Sequence, residues 1–108
     1  MSRRLAVTVS AFHDLDTAYD YIADSTSEAK ADAFFAAINE AMHGLLTFPF
    51  RGPAYHDAAL PEHANVRRVL VWTHQIVYEI GDTSITIIAV IDQRRDARVL
   101  LQERTHRR

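Results

Sequence analysis

Residues 66–96, VRRVLVWTHQIVYEIGDTSITIIAVIDQRRD, restrict the possible folds more than any other part of the chain. Three strand-forming runs follow one another with almost nothing between them. Residues 66–72 and 74–80 are rich in β-branched and aromatic side chains, and 84–91 is apolar at nearly every position. Gly81-Asp82 offers a tight connection between the second and third runs, since glycine tolerates φ > 0. Strands joined this closely must run antiparallel, because a parallel return needs a long crossover. Arg67-Arg68 stands at the entry of the block and Arg94-Arg95 at its exit, so a meander can bring four guanidiniums together.

The preceding segments supply what such a sheet needs to bury one face. Residues 5–10 place Leu5, Val7 and Val9 against Ala6, Thr8 and Ser10, the alternation of a strand with one covered side. The preceding basic residues give MSRRLAVTVSA a passing likeness to a signal peptide. Its apolar run, 5–9, is shorter than the roughly 7 to 15 residues of a signal core, which favours a first strand. From 11 to 23 the period changes: Phe12, Leu15, Ala18, Tyr19 and Ile22 recur at helical spacing, with Asp14, Asp16 and Asp20 on the wet side and Ser10 as the expected cap. A polar break at 24–27 leads to a second helix over 28–46, with a stripe of Ala33 or Phe34, Ala37-Ile38, Ala41-Met42 and Leu45. The short link predicts an antiparallel helical hairpin. Phe48-Pro49-Phe50-Arg51-Gly52-Pro53 ends it, and 54–64 is irregular by pattern. Residues 97–103 fit either a last helical turn or a strand, and 105–108 a frayed tail.

The order β-α-α-β-β-β predicts an α+β fold, a helical hairpin packed on a mostly antiparallel, twisted sheet. At 108 residues, 1–108 is expected to be one domain, with its core over about 5–98 and a tail over 99–108. The chain has no cysteine, which excludes disulfides and thiolate chemistry and accords with the cytoplasm. No apolar run reaches the roughly 18 residues of a membrane span. Six histidines occur without close ligand spacing, and three glycines without a phosphate-binding loop, so neither a metal nor a cofactor is expected.

The residues so far placed resemble the RelE/ParE superfamily of type II toxin–antitoxin toxins. The likeness is carried by Leu15 with Tyr21-Ile22-Ala23, then Ala29 and Phe34, then Leu45, Pro49 and Arg51-Gly52. It continues through Val66-Arg67-Arg68, Ile76-Val77-Tyr78-Glu79-Ile80, residues 85–91 and Arg95-Asp96. The resemblance implies a small toxin neutralised by a cognate antitoxin, within a possible toxin–antitoxin hetero-oligomer. RelE-like members cut mRNA at the ribosome; ParE-like members inhibit DNA gyrase. A shared fold does not choose between them.

The residues themselves lean toward the second branch. For RNA cleavage, Arg67, Arg68 and Arg95 would stabilise phosphorane charge, and His74 and Tyr78 are the available acid–base groups. Yet His74 and Tyr78 share strand parity with Ile76 and Ile80, which reads more simply as a packed tyrosine and a histidine at the core's rim. Asp92 stands where the family often carries a histidine. Only one of twelve basic residues is lysine, and the net charge is −2, poor provision for gripping RNA phosphates. Residues 14–40 carry −6 and residues 92–108 carry +3. Protein recognition asks less: Arg67, Arg68, Trp72, Arg94 and Arg95 are the arginine and aromatic anchors expected on a binding surface. Arg104, Arg107 and Arg108 read as a solvated tail. DNA gyrase is therefore the expected target, with ribosome and mRNA, or a binding module without toxicity, as alternatives.

Overall fold

A computed structural model describes residues 3–55 and 65–106. Along the chain run β1 (Arg4–Val7), α1 (Val9–Ser25), α2 (Glu28–Gly44), β2 (Val66–Val71), β3 (His74–Ile80), β4 (Ser84–Asp92) and α3 (Arg98–His106). The four strands form one sheet in the order β1-β4-β3-β2. β2, β3 and β4 are antiparallel, and β1 lies parallel to β4. The expected α+β architecture, a helical hairpin on a mostly antiparallel sheet, is what the chain adopts.

Local chemistry moves several boundaries. β1 is shorter than its alternation predicts, because Thr8 both finishes the sheet ladder and starts the helix. Its N–H bonds to Ile87 O (3.1 Å), and its hydroxyl accepts the Ala11 N–H (3.1 Å). The cap is Thr8, not Ser10, and the helix begins two residues early. That rotation buries Ala11, Leu15 and Ala18 and turns Val9 and Phe12 outward, 86% and 56% exposed. Tyr19, expected in the apolar stripe, instead donates its hydroxyl to Asp32 and so ties α1 to α2. The second cap falls within the predicted polar break: Ser27 accepts from the Lys30 N–H (3.0 Å). Phe34, Ile38, Met42 and Leu45 then pack into the core against the sheet.

Both faces of β4 are covered, which explains its continuous apolar run. Ile85, Ile87 and Val90 meet the helical hairpin. Ile88, Ala89 and Ile91 meet Ala97 and Leu101, the latter on α3. A bulge makes this possible. Val77 pairs with Ala89 while Tyr78 pairs with Ile87, so Ile88 is the extra residue and two consecutive side chains point toward α3. Residues 97–103, open between helix and strand by pattern, thus fall mostly in a helix with a buried anchor, and the helix runs on through 105 and 106, where the pattern predicts fraying.

The 49–52 turn is fixed from the sheet. Tyr78, fully buried, donates its hydroxyl to Pro49 O (2.8 Å) and accepts the Gly52 N–H (3.3 Å); Arg67 donates to Gly52 O (2.8 Å). A Cβ on Gly52 would stand 2.2 Å from Arg68 O, so only glycine fits there. The Gly81 connection does not use its expected freedom, since no glycine among the described residues has positive φ.

Beyond β1, the free edge of β4 is closed by an ion pair. β1 ends opposite Ile87, whereas β4 continues to Asp92. In that gap the Asp14 carboxylate accepts the Val90 N–H (3.0 Å), and Arg104 on α3 donates to Ile88 O (2.9 Å). The two side chains grip one another through Arg104 NH1 to Oδ2 (2.7 Å) and NH2 to Oδ1 (3.1 Å), and both are largely buried. Asp14 is therefore not on the wet face, and Arg104 is not part of a solvated tail. Its neighbours Arg107 and Arg108 lie outside the described residues.

Two stability outcomes follow. Asp14→Ala leaves the Arg104 charge and the Val90 N–H without their partner. It should cost about 3 kcal/mol in urea unfolding and speed Val90 amide exchange; a loss under about 1 kcal/mol, within the range of exposed ion pairs, would contradict the edge-closing role. Gly52→Ala should lower stability by about 2 kcal/mol through backbone overpacking, and an unchanged midpoint would show that the turn moves freely.

Candidate functional site

The four arginines of the block do not converge. Arg67 pairs with Tyr78 and, through it, with Ile87, five residues short of Asp92. At about 3.3 Å per residue, that separates the two pairs by roughly 16 Å along the sheet. The entry pair is itself divided, because neighbouring strand residues point to opposite faces. Arg67 lies on the hairpin side, bonded to Asn65 Oδ1 (3.0 Å) and Gly52 O, with its guanidinium 4.9 Å from the Phe50 ring centroid. Arg68 lies on the other face, 5.8 Å from the Tyr55 centroid. The local turn and rings thus occupy both.

The exit pair sits at the opposite end, beside the β2–β3 turn. Gln75, fully buried, donates its amide to Asp92 O (3.2 Å) and Arg95 O (3.1 Å), and Gln93 N bonds to Thr73 O (2.9 Å). These bonds fix the 92–95 turn against the hairpin. Arg94 chelates Asp92, Nε to Oδ1 at 3.0 Å and NH2 to Oδ2 at 3.1 Å, and remains 86% exposed. The Arg94 guanidinium and backbone N–H hold the Asp92 carboxyl down at about 2. Arg95 is exposed, and its guanidinium has no partner among the described residues.

Trp72, expected to end the second strand, occupies the first position of a two-residue turn with φ 55. Such turns need positive φ there, but a bulky side chain adopts it at a cost of order 1–3 kcal/mol. Packing holds it: the Trp72 ring meets Phe34 edge-on at 5.8 Å, and Lys30 lies 5.4 Å over its face. The indole is still 47% exposed.

Next to it, half-buried His74 packs edge-on against Phe34 (4.9 Å), with Thr73 Oγ1 3.0 Å from its Nδ1 and Asp92 as its cross-strand neighbour. Burial pushes the imidazole below its ordinary value, and Asp92 opposes that in part. Tyr78 is remote from it, buried at the other end of the sheet with its hydroxyl engaged. Of the acid–base and charge groups considered for RNA cleavage, His74 and Arg95 line one groove, while Arg67 and Tyr78 meet at the opposite end of the sheet.

A groove of about 600 Å³ runs between α1 and this end of β4, with His13, Thr17, Tyr21, His74, Asp92, Arg94 and Arg95 on its walls and Ala18, Ile22 and Val90 in its floor. Sequence reasoning missed the helical half. Its signal was there, since residues 13, 14, 17, 18 and 21 share one face of a 3.6-residue repeat. Among the described residues no group of three acidic or histidine side chains is placed to hold a metal, and no helix is long and apolar enough to cross a membrane.

The model of the ParE toxin of the type II toxin–antitoxin system parDE matches residues 5–97. The chain belongs to this family. The match reaches from β1 to the residue before α3, so the ParE region takes in the whole sheet, the helical hairpin and the Arg94-Arg95 turn. Among solved structures, the chromosomal ParDE toxin–antitoxin system from P. aeruginosa is similar with a TM-score of 0.68. Identity is 19%, with 84% of this chain and 96% of that chain covered, a likeness of fold. No curated protein matches.

The site's electrostatics make a directional statement. The lowered imidazole means that the fold favours neutral His74, so its contribution is complete above about 6.5 and lost as pH falls through the folded value. By NMR titration His74 should titrate below 6.5. Asp92→Asn, which removes the opposing carboxylate, should lower it further; a rise would contradict the assignment of causes.

Proposed function

We propose that this ParE family member arrests growth by gripping a protein target, DNA gyrase, in the cytoplasm, and that a cognate antitoxin neutralises it by binding the same molecule in a hetero-oligomer. The observation that carries this reading is the end of the sheet at which exposed Arg94 and Arg95 line the α1 groove and exposed Trp72 stands on the adjoining β2–β3 turn against α2. Aromatic rings and arginines on a rigid frame are the side chains that anchor protein interfaces. The other candidates, Arg67 and Arg68, contact Phe50, Gly52 and Tyr55 and serve the 49–55 segment instead. The antitoxin partner is supported by the family and by the toxin–antitoxin system named for the similar structure.

The alternative of ribosome-dependent mRNA cleavage draws on His74 and Arg95 lining one groove. It is weakened by Tyr78, whose hydroxyl is committed to Pro49 and Gly52.

The purified chain should inhibit gyrase supercoiling. Replacing both Trp72 and Arg95 by alanine should weaken inhibition at least tenfold, while Arg68→Ala changes it less than twofold. Normal supercoiling together with mRNA cuts in a translation assay would reverse the choice of target. Absence of growth arrest on induced expression would leave a binding module.

A further inference from the structure

The groove beside α1 has an uneven balance of charge. Two carboxylates line it, and both are neutralised from within: Asp14 by Arg104 and the Val90 N–H, Asp92 by Arg94. Arg95 has no such partner among the described residues, and His13 and Tyr21 add polar hydrogen-bonding groups on the helical wall. Beneath them the floor is apolar: Ala18, Ile22 and Val90. The acids Asp16 and Asp20 are exposed on α1 beside the His13–Thr17 rim and are not part of the groove's lining. What remains is an open slot with an apolar base, a guanidinium at one end that has no partner among the described residues, and no unneutralised carboxylate in its lining.

We infer that this groove is the docking site for an acidic segment of a partner protein, with one apolar side chain on Ala18, Ile22 and Val90 and a neighbouring carboxylate on Arg95. The inference rests on the reading that the chain works by gripping another protein, and it specifies the chemistry of the piece gripped. Arg95 suits the task because its backbone carbonyl is held by Gln75. The cation is therefore presented from a fixed turn, which reduces the ordering cost of binding. A guanidinium can also take both oxygens of one carboxylate.

The test uses the full chain and a fluorescein-labelled peptide, Glu-Asp-Leu-Glu-Asp, followed by anisotropy. Two companion peptides replace either all acids by their amides or the leucine by serine. The acidic peptide should bind at least tenfold more tightly than either companion and shift the methyl signals of Ala18 and Val90. Arg95→Glu, an exposed position where folding is not at risk, should weaken it at least tenfold. Arg4→Glu, at the start of β1 and away from the groove, alters net charge equally and should change binding less than twofold. Equal affinity for all three peptides, no binding, or equal loss in both variants would overturn the docking site. Gyrase inhibition without peptide binding would overturn the groove and spare the proposed target. Peptide binding with unaffected gyrase would support the groove and count against that target.

Discussion

β4 is covered on both faces, and on one edge its backbone runs on past the end of its neighbour β1. Any strand in that position must find a partner for each edge N–H and C=O. Over its first half β1 provides them in parallel register; over the second half no strand among the described residues does. The chain fills the gap with side chains, an acid from α1 on the Val90 N–H and a guanidinium from α3 on the Ile88 carbonyl. Because the acid and the guanidinium also bond to each other, one contact joins α1, β4 and α3. The groove lies along this edge, which side chains close and no strand among the described residues occupies.

That arrangement separates the molecule into two ends with different tasks. At one, Tyr78, Arg67 and the close approach of Gly52 to Arg68 hold the segment leaving α2. At the other, Gln75 and the strained Trp72 turn set the position of Arg94 and Arg95. Arginine is used in both places, internally bonded at the first and presented to solvent at the second. A recognition surface gains from an exposed cation on a rigid turn, and Arg95 at the second end is such a cation, beside Arg94 held by Asp92.

Much of the architecture was legible in the sequence because it rests on periodicity. Three strand runs, two amphipathic helices and the polar break between them follow from spacing alone, and the antiparallel pairing of the three runs needed only short connections; the parallel place of β1 beside β4 did not follow from either. The misplacements have local causes. Thr8 outcompeted Ser10 as a cap because it also completes the β1 ladder, a tertiary fact that leaves no trace in helical spacing. The Ile88 bulge and the burial of Leu101 were invisible because an all-apolar run has no phase. The arginines were legible as a type and not as a set: their convergence depended on strand register, and the register puts them at opposite ends. Asp14 and Arg104 are 90 residues apart, beyond what any local pattern can join.

The central claim is that the molecule meets its protein target at the Trp72–Arg95 end, across the α1 groove. Hydrogen exchange of the chain bound to purified DNA gyrase tests it most directly. Exchange should slow in residues 13–22 and 72–74 and in the 92–95 turn, with 51–55 and 66–68 unchanged. Protection confined to the Gly52–Arg68 end would contradict it.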